Sequence, residues 1–219
     1  MDRSNLRRFR RTRQARNAPG QALVEFALVF PIFLILLLAT IEFAFAFNAV
    51  LSSNYSTRDA SLIGAEAGSN PGADCQIIKQ VLADMTPPVD ASKITQIIIY
   101  RANSTGGPVS GSFTGSGNVW VHSTSPTTNC SAFGGSATLP FKLTTANYPE
   151  GLPDAITGVG GRCDFLSGCP DNAHRTRDTI GVQVSYTYTW HTPLPNFVPL
   201  ATGSFTITRA NEMRMEPIL

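Results

Sequence analysis

After Gly20 the chain runs to Phe47 through an apolar stretch broken by two carboxylates only, Glu25 and Glu42. Residues 26–39 carry no charge at all. A helix over residues 21–47 reaches roughly 40 Å at a rise of ~1.5 Å per residue, more than a ~30 Å hydrocarbon core. Few folds accommodate such a segment other than a membrane anchor with its remaining chain on one side. Pro31 lies inside the stretch and is tolerable in a lipid-embedded helix with a kink. Glu25 is the unexpected residue. An acid at the bilayer centre costs about 2.5–3.5 kcal/mol and less near the interface, so it is rarely placed there without a partner.

Charge is distributed unevenly around this stretch. Arg3, Arg7, Arg8, Arg10, Arg11, Arg13 and Arg16 precede it with Asp2, so residues 1–20 carry +6 of the net +2 and the rest carries −4. Arginines packed before an apolar helix fit the positive-inside rule and hold the N-terminus in the cytoplasm. The plain alternative is a flexible basic tail. A nucleic-acid-binding face does not fit, because the basic residues are confined to one end. A secretory signal peptide is the rival reading of the apolar run, with Ala44 and Ala46 as a weak cleavage site.

Cys75, Cys130, Cys163 and Cys169 all follow the span. On the far side of a membrane, four cysteines read as two disulfides in one of three connectivities. The short loop from Cys163 to Cys169 favours Cys163–Cys169 with Cys75–Cys130. Metal ligation competes poorly, since the six-residue step matches no common zinc spacing and His122, His174 and His191 are isolated.

Beyond the span, residues 48–67 read as continued helix of weak amphipathicity, ended by Gly68-Ser-Asn-Pro-Gly72. Ile77, Ile78, Val81, Leu82 and Met85 recur at helical spacing, with Asp74 near the start and Pro87-Pro88 as the stop. Strands follow. Residues 93–101 are isoleucine-rich, Val119-Trp-Val121 is a short candidate, and Ala137, Leu139, Phe141 and Leu143 alternate around Pro140, which argues for an edge. In residues 180–191, Ile180, Val182, Val184, Tyr186, Tyr188 and Trp190 alternate with small or polar residues, as in a half-buried strand. Residues 204–209 read as its antiparallel neighbour. The expected fold is α+β: a long N-terminal helix feeding a small domain with a mainly antiparallel sheet. The expected organisation is a leader at 1–20, a span at 21–47, a juxtamembrane helix at 48–68 and an extracytoplasmic domain at 69–219.

The run Gly20-Gln-Ala-Leu-Val-Glu-Phe-Ala-Leu-Val-Phe-Pro-Ile-Phe-Leu behind a basic leader resembles the TadE-like family of minor pilins, or pseudopilins, of tight-adherence (Flp-type) pilus systems. Residues 42–60 and the closing Met213-Arg-Met-Glu-Pro217 resemble that family more loosely, and residues 70–200 match nothing specific. Gln21, where prepilins often carry a methylated phenylalanine, is a departure. Phe26, in place of the tyrosine of Flp major pilins, favours a minor subunit. The resemblance implies a bacterial protein of the cytoplasmic membrane, single-pass with its N-terminus inside. It implies a prepilin peptidase that cuts between Gly20 and Gln21, and Glu25 pairing with the N-terminus of a neighbouring pilin to set its register. Glycine leaves the scissile bond accessible in an extended conformation. The alternative for Glu25 is a shallow, hydrated carboxylate without a role, and Glu42 reads as an interfacial residue at the outer end of the span.

No nucleophile–base pair, phosphate loop or HExxH stretch occurs, so neither an enzyme nor a cofactor is expected. The implied partners are membrane lipid, the peptidase and other pilins, without nucleic acid. The competing function is an unprocessed, membrane-anchored binding or adhesin module. Processing discriminates the two, because a pilin loses residues 1–20.

Overall fold

The structure, a computed structural model, describes residues 19–125, 128–130, 137–152, 161–165, 169, 176–197 and 203–216, with backbone alone at 19, 128–130 and 137. The arginine leader and the Cys130 side chain lie outside these residues.

The span and the juxtamembrane segment form one helix, α1 (Pro19–Ala67), with Pro31 inside it. It contains a segment long and apolar enough to cross a membrane once, with mean hydropathy 2.7. The helix has two halves. From Gly20 to Phe33 every side chain described is exposed, and burial begins on one face at Leu34, Ile35, Leu38 and Ala39. Glu42, Ala49, Ser53, Ser56, Thr57, Ala60, Ser61 and Ala65 continue that face and are buried. These residues recur at three- and four-residue steps, so they share one stripe. They are small, so the helix approaches the sheet closely, and the stripe is nearly invisible to hydropathy. That is why the segment reads as poorly amphipathic in sequence. Gly68, at φ 57°, ends the helix, and its N–H bonds to Gly64 O at 3.0 Å. A left-handed residue there releases the chain from the helix, a role glycine fills without strain.

Helix α2 (Ala73–Asp84) buries Ile77, Ile78 and Val81, as its periodicity predicts. Asp74 stands near its start, as read from the sequence. The orphan N–H groups of Gly72 and Asp74 are taken by the Glu150 carboxylate, both at 2.7 Å. A remote carboxylate caps the positive end of this helix.

The main sheet has the strand order β5-β2-β1-β6-β7, from β1 (Ile94–Ala102), β2 (Gly117–His122), β5 (Phe141–Ala146), β6 (Thr179–Thr189) and β7 (Ser204–Arg214). Strands β3 (Thr128–Cys130) and β4 (Ala137–Leu139) form a separate pair. All pairings described are antiparallel. Pro140 divides the alternating run Ala137 to Leu143 between β4 and the edge strand β5, consistent with its missing N–H. Strand β7 pairs with β6 along its whole length, to Arg214.

One sheet face, with Ile97, Ile99, Ile180, Val182, Val184, Tyr186 and Tyr188, packs with α1 and α2 into the principal core. The opposite face carries a second cluster of Ile98, Tyr100, Ala102 and Val119, with Phe113 against it. Burial on both faces explains why β1 reads as a continuous isoleucine run rather than an alternation.

Candidate functional site

The head of α1 holds the residues that sequence pointed to. Gly20 is the second residue of the helix, not extended, and a Cβ there would meet nothing within 4 Å. Gln21 follows, and its Nε2 donates to Glu25 Oε1 at 3.3 Å, one turn on. Glu25 is exposed among exposed apolar neighbours, including Leu23, Val24, Phe26 and Leu28. The head thus presents an apolar cylinder with one carboxylate near its open end.

Glu42 behaves differently. It is 2 % exposed, and the residues around it belong to the domain rather than to solvent. Its carboxylate accepts from the Tyr188 hydroxyl, from His191 N–H at 3.1 Å and from Thr192 N–H at 2.8 Å. The His191 ring stacks on Phe45 with centroids 5.0 Å apart. Burial, and then the bond to Glu42, push the Tyr188 hydroxyl well above its ordinary pKa, so it remains a donor. Glu42, expected at the outer end of the span, is a staple that ties the end of β6 to α1. Two backbone amides and a phenol supply the solvation that water would otherwise give. Its signal in the sequence is weak: an acid in an apolar helix with no basic residue one turn away, which requires a partner from elsewhere.

A second buried charge cluster holds the far part of the domain. Asp74 Oδ2 accepts from Asn118 at 2.8 Å and from Trp120 Nε1 at 3.2 Å, and Oδ1 pairs with Arg162. Arg162 is fully buried, 4.9 Å above the Tyr148 ring. Burial opposes its charge, and Asp74 more than offsets that. Asp178 accepts from Tyr148 at 3.1 Å and from Cys163 N–H at 3.0 Å, and pairs with Arg101 at 2.7 Å. Sequence reading gave no role to Arg162 or Asp178, because their partners are remote in the chain.

Cys163 and Cys169 are bonded to each other, with Cα atoms 5.6 Å apart. Cys75 is disulfide-bonded as well. Among the described residues no group of His, Cys, Asp and Glu is arranged to hold a metal. An open cleft of about 400 Å³ is lined by Arg101, Asn103, Arg177, Asp178 and Arg214, among others. Arg101 is engaged by Asp178 and Arg177 by Glu216, so this cleft does not offer a set of free cations to a ligand.

Residues 20–61 match the family model described as TadE-like protein. Neither a curated protein nor a solved structure matches the chain. The matched segment takes in Glu25, Glu42 and the small-residue stripe as far as Ser61. The chain therefore carries a TadE-like segment at residues 20–61, the family to which the run after Gly20 pointed.

Proposed function

We propose that this protein is a TadE-like minor pilin or pseudopilin, a membrane-anchored structural subunit in the assembly of a Tad/Flp-type pilus used for adherence. The observation that carries the reading is the division of α1. Its first half is a bare apolar rod bearing Glu25, and its second half, from Glu42 onward, is built into the domain's core. A helix of this kind transmits an axial position fixed at its head to the whole domain, because α1 runs on as one helix from Pro19 to Ala67, through Pro31.

In this reading a prepilin peptidase cuts between Gly20 and Gln21 and creates a new amino group beside the membrane surface. Glu25, one turn inside, then receives the amino terminus of a neighbouring pilin. Each charge alone in lipid is costly, so the pair forms where the two subunits are in register. Gln21 holds Glu25 until that partner arrives.

The test is Glu25→Ala and Glu25→Gln in the native host, read as co-purification with other pilins and as pili on the cell surface. Removing one half of a poorly solvated ion pair typically costs about 3–5 kcal/mol, enough to abolish a modest association. Both variants are expected to insert and be cleaved normally, yet to be lost from pilin complexes. Normal pili with both would reject the register role and favour an anchored binding module.

A further inference from the structure

In the connection between β6 and β7, the described residues 190–197 lie where the domain meets the bare half of α1. His191 and Thr192 bond to Glu42, and α3 (Leu194–Phe197) packs on α1, whose half-buried face begins at Leu34. Gln21 and Glu42 are separated by about 30 Å along the helix at ~1.5 Å per residue, which is the thickness of a hydrocarbon core. A span that starts at Gln21 therefore leaves the lipid at the level of this connection.

The surface at that level is apolar. Leu194 is buried and holds α3 in place, while Phe197 is 54 % exposed and Phe205, at the start of β7, is 42 % exposed. The Phe205 ring lies 6.3 Å from that of Trp190 and 4.9 Å from that of Tyr188. From Thr179 to Thr208 the sequence contains no Asp, Glu, Lys or Arg. The opposite end of the sheet is the reverse, with Arg101, Arg177, Asp178, Arg214 and Glu216 gathered around the ends of β1, β6 and β7. Within β6 and β7 the charge is thus confined to one end of the strands, while Asp90, beside Tyr186, Lys93 and Lys142 stand at the other end of the sheet on its neighbouring elements. Exposed apolar rings at the edge of a span gain by burial at the boundary between headgroups and acyl chains.

We propose that Phe197 and Phe205, backed by the half-buried Trp190, seat at the headgroup–acyl boundary of the membrane and fix the height and tilt of the domain on the bilayer. The occupant of this apolar surface is lipid, since the surface is continuous with the exposed face of α1 at the point where the span ends. The inference rests on the reading that α1 crosses the membrane, and the test separates the two.

Full-length Phe197→Trp and Phe33→Trp proteins are reconstituted at low protein density in phosphatidylethanolamine–phosphatidylglycerol vesicles, and the added emission is compared with wild type. Phe33, 59 % exposed, reports on the middle of the span. Its emission is expected to be quenched by lipids brominated deep in the chain. The Phe197→Trp emission is expected to be more than halved by lipids brominated near the headgroup, less by deep ones, and to be shielded from aqueous iodide. Phe205→Trp repeats the test from the neighbouring strand. Iodide-accessible emission at both loop positions, with the Phe33 reporter quenched by lipid, overturns the seating and leaves the anchor standing. Emission shielded from iodide and from brominated lipid alike overturns it in favour of a covering protein. No lipid quenching at Phe33 removes the anchor on which the proposal depends.

Discussion

Glu25 and Glu42 are the same residue type in the same helix, and their surroundings assign them opposite tasks. Glu25 stands exposed on an apolar rod, with Gln21 as its hydrogen-bond partner among the described residues. Glu42 is enclosed by a tyrosine hydroxyl and two backbone amides. Sequence marks both as anomalous, because a carboxylate in an apolar helix needs a partner. It cannot say that Glu25 is left exposed while Glu42 finds its partners about 150 residues away in the chain, at Tyr188 to Thr192. Glu42→Ala takes the carboxylate acceptor from the buried Tyr188 hydroxyl and from two partly buried backbone N–H groups, at about 1–3 kcal/mol for a stranded buried group. Its expected effect is a lowered midpoint of chemical denaturation in detergent or lipid, together with faster proteolysis between Thr189 and Ser204. Processing at Gly20 is expected to stay normal. An unchanged midpoint would mean that the staple contributes nothing to the dock.

At the level of elements, the strongest alternation, β6, and the isoleucine run, β1, are legible in the chain because each carries its pattern locally. The pairing between them is not, and it has a specific device. Tyr100 lies opposite Gly181, and a Cβ on Gly181 would sit 2.2 Å from the Tyr100 ring. The ring lies flat on the bare backbone of the neighbouring strand, fully buried, with its hydroxyl bonded to Gly106 O at 3.0 Å. Gly181→Ala must push the ring off its site, at a cost of about 1–3 kcal/mol for overpacking. The expected result is a lower thermal midpoint, and recovery of part of it by Tyr100→Leu in the same chain. Equal stability of Gly181→Ala and wild type would contradict the contact. The α1 stripe is the opposite case. Its Ala, Ser and Thr residues carry no hydropathic signal, so a helix that reads as weakly amphipathic turns out to be a principal wall of the core. The cysteines belong to this scale too. Cys163–Cys169 closes a short loop beside the buried Asp178, and a crosslink of that kind stabilises by roughly 2–4 kcal/mol. Alkylation of folded protein without reductant is expected to label no cysteine. Labelling of two would leave a single bridge.

As a whole, the molecule is a rod set into a sheet. The α+β character was readable from the periodicities, and the family from fifteen residues at the helix head. The network around Arg162 was not, since Asp74, Asn118, Trp120, Tyr148 and Arg162 come from separate elements and none advertises its partner. That network and the Glu42 staple lock both ends of the domain to the elements around α1, so the domain's position is set by its helix. The account then depends on what happens at the open end of that helix. In the proposed function, cleavage after Gly20 is the step that would turn an anchored protein into a subunit, because only then would Glu25 stand one turn from a free amino terminus. The measurement that tests this most directly is the intact mass of the protein purified from its native membrane, with N-terminal sequencing. The account predicts a mature chain that begins at Gln21 and lacks the arginine leader. A chain that retains Met1, or one that begins near Asn48, would contradict it.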